Sequence, residues 1–219
     1  MQKTTIEWTE FVSNPIKGKC LHNCSYCYAE KIRLRFKQPA EYSWHPEELR
    51  KIEQHKKPTT IFMGSMYDLF GEWVPESHID RIIATTRYCQ QHTFLFLTKN
   101  PERYEQFIFP RNCFLGATAT DQESYIRAFN VLCDWPRKNK VWISMEPLIN
   151  IIDPHLLIWI DGIVIGAMTG QTKVIPRKSW IDHIIKKAED MPIFIKDNLL
   201  NLYADLPKRR EVIWKGNIK

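Results

Sequence analysis

Three cysteines stand within eight residues of this sequence, at Cys20, Cys24 and Cys27. Cys24 and Cys27 are one helical turn apart, and the loop that carries Cys20 is long enough to fold back towards them. Thiolates are ligands for zinc and for iron–sulfur clusters. Clustered cysteines in a cytosolic chain indicate metal binding more than disulfide bonding. The spacing therefore predicts a metal site at these three residues.

The number of thiols favours an iron–sulfur cluster over zinc. A structural zinc site uses four ligands, commonly two pairs spaced by two to four residues, and the sequence offers no second pair. His22 lies in the same loop, but we interpret it as a loop residue. Three thiolates suit a 4Fe-4S cluster in which one iron is left free for a small molecule. The other cysteines lie singly in apolar stretches typical of core positions: Cys89, Cys113 and Cys133.

The elements that would position this loop are short apolar runs that alternate with amphipathic segments. The runs are rich in Phe, Ile, Val and Thr, which predicts strands. Predicted strands lie at 59–64, 93–98, 112–118, 141–146, 160–167 and 192–196, with a shorter one around 12–16. Predicted helices lie at 76–91, 101–107, 122–133 and 177–189, and good helix formers from residue 29 onward predict another through 31–37.

This alternation predicts an α/β fold. Runs that are apolar on both faces and are separated by helices are typical of parallel strands covered on both sides. We expect a partial TIM barrel, (β/α)6–7 with parallel strands, in a single domain over residues 1–219. A doubly wound open sheet fits the same alternation.

Composition excludes several classes of protein. With 219 residues, 44% of them hydrophobic, the chain can bury a full core, so disorder is excluded as the main state. No apolar stretch approaches the roughly 20 residues that cross a bilayer. The first ten residues do not resemble a secretory signal. We therefore expect a cytoplasmic protein with no membrane partner.

Polar residues cluster where the predicted strands end. They are Gly64 to Asp68, Lys99, Thr118 and Thr120, Ser144 and Glu146, Gly166 to Gly170, and Lys196 to Asn198. In parallel α/β folds the carboxyl ends of the strands carry the active site, so we expect one common pocket. A carboxylate at the end of an apolar strand needs a partner, so Glu146 should lie near a ligand hydroxyl or a cation. Asp68, Lys196 and Asp197 are candidates for contact with a substrate.

The positive charge is concentrated in two segments. Lys and Arg number 31 against 25 Asp and Glu, and the segments 31–37 and 207–219 each carry a net charge of +4. Two interpretations stay open, solvated faces or contact with a nucleic acid. Trp214, inside the second segment, either stacks on an unpaired base or packs on the barrel, and we favour packing.

The motif CLHNCSYC resembles the signature of radical S-adenosylmethionine (SAM) proteins, in which an aromatic residue, here Tyr26, precedes the last cysteine. Further blocks occur in the order NPIKGKC, CYAEKI, FMGSMYDLF, FLFLTKNPERY and SMEPL, followed by the Ile-Gly pair at 165–166. Together they resemble the short phage-associated family of radical SAM proteins, whose substrates are not established. The resemblance extends from Ile6 to about Asn198.

The resemblance implies an enzyme with a partial TIM barrel and two cofactors, a 4Fe-4S cluster on Cys20, Cys24 and Cys27, and SAM at the free iron. It implies reductive cleavage of SAM to methionine and a 5′-deoxyadenosyl radical, which abstracts hydrogen from an unidentified substrate. The electron would come from a flavodoxin- or ferredoxin-like donor.

The resemblance also implies SAM-binding positions. Gly64, Ser65 and Met66 are similar by position to a Gly-Gly-Glu segment whose backbone oxygens meet the SAM amino group, although two of the three residues differ. The Gly-rich pattern of the fifth strand is replaced here by VWISMEPL. The remaining candidates for cofactor binding are Tyr26, Lys99, Thr118, Ser144 and Glu146.

Ordinary structural roles remain open for several of these residues. Lys99 either pairs with the SAM carboxylate or is a surface residue that flanks a helix. Thr118 and Ser144 either bond ribose or carboxylate, or are ordinary strand-end hydroxyls.

The alternative function of the protein is an iron–sulfur or zinc nucleic-acid binding module without turnover. A nucleic acid is also a possible substrate of the enzyme.

Overall fold

The computed structural model describes residues 1–136, 138–155, 157–169 and 174–214. The strands are β1 (Gln2–Lys3), β2 (Phe11–Ser13), β3 (Ile16–Lys17), β4 (Ser43–Trp44), β5 (Thr60–Met63), β6 (Thr93–Thr98), β7 (Cys113–Thr118), β8 (Lys140–Met145), β9 (Gly162–Ile165) and β10 (Ile193–Ile195). The α-helices are α1 (Tyr28–Arg35), α2 (Glu47–Gln54), α3 (Glu76–Tyr88), α4 (Gln122–Cys133), α5 (Lys178–Lys187) and α6 (Asp197–Leu200). Two 3-10 helices cover Pro101–Gln106 and Leu157–Trp159.

The large sheet follows chain order from one edge to the other. Within the described residues its order is β1-β2-β5-β6-β7-β8-β9-β10, and β2 and β5 to β10 are all parallel. A doubly wound sheet reverses its strand order at a switch point, and this sheet does not. The α/β prediction of a partial barrel with six or seven parallel strands is confirmed, with seven. β1 is antiparallel to β2 and lies at the open edge.

The inner face of the sheet encloses an aromatic plug. Trp8 lies 4.8 Å from the ring of Phe62 on β5 and 5.3 Å from that of Trp142 on β8, so strands three positions apart meet across the interior. Trp214 completes the plug at 5.1 Å from Trp142. The buried members of this cluster are Trp8, Val12, Phe62, Leu95, Phe114, Trp142, Val164, Phe194 and Trp214.

The outer face of the sheet packs against the helices. α4 has the bounds that the sequence predicted, because Asp121 and Ser124 form a capping box at its start. The other predicted helices are present with ends within a few residues of those expected, and 101–107 is a 3-10 helix.

Several details differ from prediction. The first parallel strand is Phe11–Ser13 and not 12–16, because Pro15 has no N–H to donate and Ile16 pairs with Trp44 in a separate two-stranded sheet. The described residues also include two α-helices that the sequence analysis did not predict, the short α6 and α2, which is held by Leu49 and Ile52. No helix in the described ranges is long and apolar enough to cross a membrane.

Candidate functional site

The carboxyl ends of the parallel strands form a polar rim above the aromatic plug. Side chains alternate between the two faces of a strand, so residues two and four positions after an inner-face residue also face inwards. Phe114 and Trp142 belong to the plug, which places Thr118 and Ser144 on the same inner face near the strand ends. These two residues are register partners on neighbouring strands and both are buried. The predicted pair of strand-end hydroxyls is therefore brought together.

Glu146 and Lys196 form an ion pair at the same end of the barrel. The Lys196 ammonium donates to Oε1 of Glu146, and both side chains are mostly buried. Gly166 follows β9, the strand between them, and a Cβ at this position would lie 2.9 Å from Cδ of Glu146. The carboxylate therefore fills the space that a side chain at 166 would occupy. The sequence predicted a ligand hydroxyl or a cation near Glu146, and in the structure that cation is Lys196 of the same chain.

The turn at Gly64, Ser65 and Met66 is held by two side chains. Gly64 has a φ of +79°, and a Cβ there would lie 2.5 Å from Cγ of Leu69, so both conformation and space require glycine. Oδ1 of Asn14 accepts from the Met66 N–H at 3.0 Å and from the Ser65 hydroxyl at 3.2 Å. The Tyr28 hydroxyl donates to the Ser65 carbonyl. The segment implied to bind SAM thus has a fixed backbone.

Asp68 anchors the cysteine loop to β6. Its carboxylate accepts from the Thr98 hydroxyl at 2.8 Å, from the Lys99 N–H at 2.9 Å and from Nε2 of His22 at 2.8 Å. Burial raises the pKa of Asp68, but the hydrogen bonds outweigh burial and hold that pKa below its usual value. Asp68, a candidate for substrate contact, therefore serves as an internal acceptor, and His22 is one of its partners in the cysteine loop.

The cysteine loop consists of two successive turns. Asn23 has a φ of +48° and its N–H donates to the Cys20 carbonyl, and the Cys27 N–H donates to the Cys24 carbonyl at 3.0 Å. Sγ of Cys27 accepts from the Glu30 N–H at 3.4 Å and so caps the start of α1.

Tyr26 and Lys99 tie this loop to the rim. The Lys99 ammonium lies 5.4 Å from the centroid of the Tyr26 ring, a cation–π contact. Burial raises the pKa of Tyr26, whose hydroxyl is close to Thr120. Within the described part of the chain the Lys99 ammonium has no carboxylate within salt-bridge distance, so its charge is available to an anionic ligand.

The chemistry of the donor set fits a thiolate-bound cluster. Cys20, Cys24 and Cys27 are free thiols, half-buried, in one loop above the barrel. Burial raises the pKa of Cys20, so its thiolate needs a cation or a metal to stabilise it. Among the described residues no set of three or more Cys, His, Asp and Glu side chains is assembled closely enough to hold a metal ion. A cluster would therefore require the three thiols to turn towards a shared point.

Some of the predicted positions have other roles. Asp197 was a candidate for substrate contact, but its carboxylate pairs with Arg210, and its N–H donates to Glu7 at 2.9 Å. Gly170, the last residue of the predicted strand-end segment Gly166 to Gly170, lies outside the described residues. Asn14 and Tyr28 were missed as rim residues. Asn14 could have been found from its position directly after the first strand, whereas the Tyr28 contact depends on the fold.

The basic tail is largely engaged by the barrel. Residues 209–211 run antiparallel beside β10, where the Ile195 N–H donates to the Arg209 carbonyl at 3.0 Å. Arg210 pairs with Glu7 and Asp197. Nε1 of Trp214 donates to the Trp8 carbonyl at 2.8 Å inside the plug. The packing interpretation of Trp214 is confirmed, while Lys215 and Lys219 of the tail lie outside the described residues.

Comparison with known proteins identifies a family and a solved structure with a similar fold. A family model described as "Protein of unknown function (DUF5131)" matches residues 3–198. Among curated proteins, none matches the chain. A solved structure of spore photoproduct lyase complexed with dinucleoside spore photoproduct is similar, with a TM-score of 0.49 and 11% sequence identity. The similarity covers 87% of this chain and 64% of that one, so this chain spans less than two thirds of that structure. Because the family match covers most of its length, the chain belongs to the DUF5131 family.

Proposed function

We propose that this protein is a radical SAM enzyme that holds a 4Fe-4S cluster on Cys20, Cys24 and Cys27. The observation that carries the proposal is the position of the three free thiols. They lie in one loop that Asp68 and Tyr28 fasten to the carboxyl ends of β5 and β6, at the polar end of the barrel. When bound, cluster and SAM supply reductive cleavage to methionine and a 5′-deoxyadenosyl radical that removes a hydrogen atom from a substrate.

The residues of the rim match the charges of SAM. The methionine part of SAM carries an ammonium and a carboxylate group. The turn at Gly64 to Met66 offers backbone oxygens to the ammonium group, and the two hydrogen bonds from Tyr28 and Tyr67 leave lone pairs on these carbonyls. Lys99, which has a charge available, is suited to the carboxylate.

The hydroxyls on the inner face are suited to the ribose. Thr118 and Ser144 lie side by side on β7 and β8, where hydroxyl groups can both donate and accept. Glu146 accepts from Lys196 through Oε1, and its second oxygen is an acceptor for a ligand hydroxyl. The plug below closes the barrel with apolar rings, which excludes water from that side.

Anaerobic reconstitution with iron and sulfide tests the metal assignment. We expect about four iron and four sulfide per chain, with broad absorption near roughly 400 nm. Cys24→Ala should abolish cluster loading. Cys133→Ala is the matched control, because Cys133 is also a free, half-buried thiol but lies at the end of α4. This variant should bind the cluster as wild type does. Stoichiometric zinc without sulfide would contradict the proposal.

Turnover tests the reaction. With dithionite standing in for a flavodoxin- or ferredoxin-like donor, the reconstituted protein should release 5′-deoxyadenosine from SAM even without substrate. A binding module would leave SAM intact. Release by wild type and by Cys133→Ala, but not by Cys24→Ala, is the expected result.

A further inference from the structure

The first basic segment of the sequence, residues 31–37, lies on helix α1 and directly after it. Tyr28, Lys31, Leu34 and Arg35 are spaced i, i+3, i+6 and i+7, so they share one face of α1, and all four are exposed. Phe36 and Lys37 follow directly after the helix and are also exposed, Phe36 to 65%. We call these six residues the α1 face.

The cations of the α1 face are not neutralised. Within the described residues no carboxylate lies within salt-bridge distance of Lys31, Arg35 or Lys37, whereas Arg33 on the other side of the helix pairs with Glu30. Between residues 15 and 44 the sequence has six Lys and Arg against two Glu and no Asp. The tail, by contrast, uses Arg209 and Arg210 for contacts inside the protein. Of the described residues of the two basic segments, those at α1 therefore leave more cations without a carboxylate partner.

Exposed rings are interleaved with these cations. Five aromatic residues are exposed among those described, and three lie in this part of the chain: Tyr28, Phe36 and Tyr42. The Arg35 guanidinium lies 5.6 Å from the centroid of the Phe36 ring, a pairing that presents a flat cationic and aromatic surface. Cations that follow a phosphate backbone and rings that stack on unpaired bases are the two features of single-strand binding surfaces.

We propose that the α1 face binds single-stranded nucleic acid. Helix α1 has eight residues and is about 12 Å long, which accommodates three or four nucleotides at about 3.4 Å each. Its first residue, Tyr28, follows Cys27 directly and reaches Ser65 on the rim, so a strand on this face ends at the mouth of the barrel. That the bound strand is also the substrate rests on the proposed function. A single strand is favoured over a duplex because stacking on Phe36 requires an unstacked base.

Binding can be measured by fluorescence anisotropy on the full chain without SAM or reductant. The probe is a labelled single-stranded DNA of mixed sequence, about 10 nucleotides long, together with the RNA of the same sequence. Three phosphate contacts predict that affinity falls about 20-fold when salt rises from about 50 to about 200 mM. The duplex of the same sequence should bind more weakly.

Two kinds of variant separate charge from stacking. The triple change Lys31→Gln, Arg35→Gln and Lys37→Gln should weaken binding by about tenfold or more and remove most of the salt dependence. Phe36→Ala should weaken binding about fivefold or more and leave the salt dependence unchanged, because it removes a ring and no charge. The matched control changes the same number of exposed cations elsewhere, Lys3→Gln, Lys56→Gln and Lys57→Gln, and should bind as wild type does.

Three results would overturn the inference. One is equal affinity in the α1 triple variant, and another is equal affinity for the duplex. The third is displacement of the probe by poly-glutamate of equal charge, which would indicate an acidic protein as the partner. These outcomes are independent of the proposed reaction, since a failed release of 5′-deoxyadenosine would contradict the enzyme and leave this binding surface in place.

Discussion

The ion pair of Glu146 and Lys196 packs against Gly166, which has no side chain to separate the two residues. A Cβ at position 166 would lie 2.9 Å from Cδ and 3.0 Å from Cγ of Glu146, so Gly166→Ala must shift the Glu146 side chain and weaken its contact with Lys196. Because that side chain is flexible, we expect a loss of about 1 kcal/mol in the free energy of unfolding, at the low end of the cost of overpacking. Urea denaturation of the purified variant measures this loss.

A double-mutant cycle identifies the clash as the cause. In a Glu146→Ala background the side chain that Gly166→Ala would strike is absent, so the second substitution should cost less than it does alone. An equal cost in both backgrounds would show that the glycine is needed for another reason.

Glu146→Ala should also weaken SAM binding to the reconstituted protein. Loss of a hydrogen bond from a ligand hydroxyl to a charged oxygen costs about 1.5–3 kcal/mol, which is roughly a tenfold or greater rise in Kd. Isothermal titration calorimetry measures it, with the exposed Glu189→Ala as a control of equal charge change. A folded Glu146→Ala variant that binds SAM as tightly as wild type does would remove Glu146 from the cofactor site.

The sequence predicted most of the barrel because its elements are encoded locally. Apolar runs predicted six strands, and the capping box of Asp121 and Ser124 fixes the start of α4 at the predicted residue. α2 was missed because only Leu49 and Ile52 anchor it, too few residues for a helical period.

The contacts of the site depend on long-range pairing. Strand alternation places Thr118 and Ser144 on the inner face, and the sequence is sufficient for that prediction. The partner of Glu146 lies 50 residues away and is reached only because β8, β9 and β10 are in register with a glycine at the middle position. No local pattern contains that information.

Asp68→Asn should loosen the cysteine loop. Both carboxylate oxygens accept hydrogen bonds, so an amide nitrogen at either position would face N–H or O–H donors from Phe70, Thr98, Lys99 or His22. Buried donors without an acceptor cost about 1–3 kcal/mol. We expect lower stability in urea and fewer iron atoms per chain after reconstitution. The exposed Asp80→Asn is the control, and loading equal to that of the control would show that Asp68 does not position the thiols.

Trp214→Ala should destabilise the barrel strongly. The ring is 2% exposed, contacts Trp8, Phe114 and Trp142, and donates to the Trp8 carbonyl. Truncation of a buried aromatic side chain costs about 3–5 kcal/mol. Phe36→Ala, at an exposed ring, should change stability by less than about 0.5 kcal/mol. A similar loss of stability in both variants, measured by chemical denaturation, would contradict the role of Trp214 in the plug.

His92 should make the protein less stable in mild acid. It is 1% exposed, Nε2 donates to the His55 carbonyl at 3.0 Å, and Nδ1 is buried with no hydrogen-bond partner within the described residues. Burial lowers the pKa of His92 below its ordinary value of 6.5, so the unfolded chain takes up this proton at a higher pH than the folded chain does. The contribution of His92 to the free energy of unfolding is therefore complete above about pH 6.5 and is lost as the pH falls towards the pKa of His92 in the folded chain.

Thermal unfolding at about pH 7.5 and about pH 5.5 measures this effect of His92. The melting temperature of wild type should fall more between these values than that of His92→Gln, which keeps a polar side chain but has no group to protonate. His78, whose pKa burial also lowers, is unchanged in the variant, so the difference between the two proteins isolates His92. An equal fall in both would show that the pKa of His92 is the same in the folded and the unfolded chain, and would contradict the prediction.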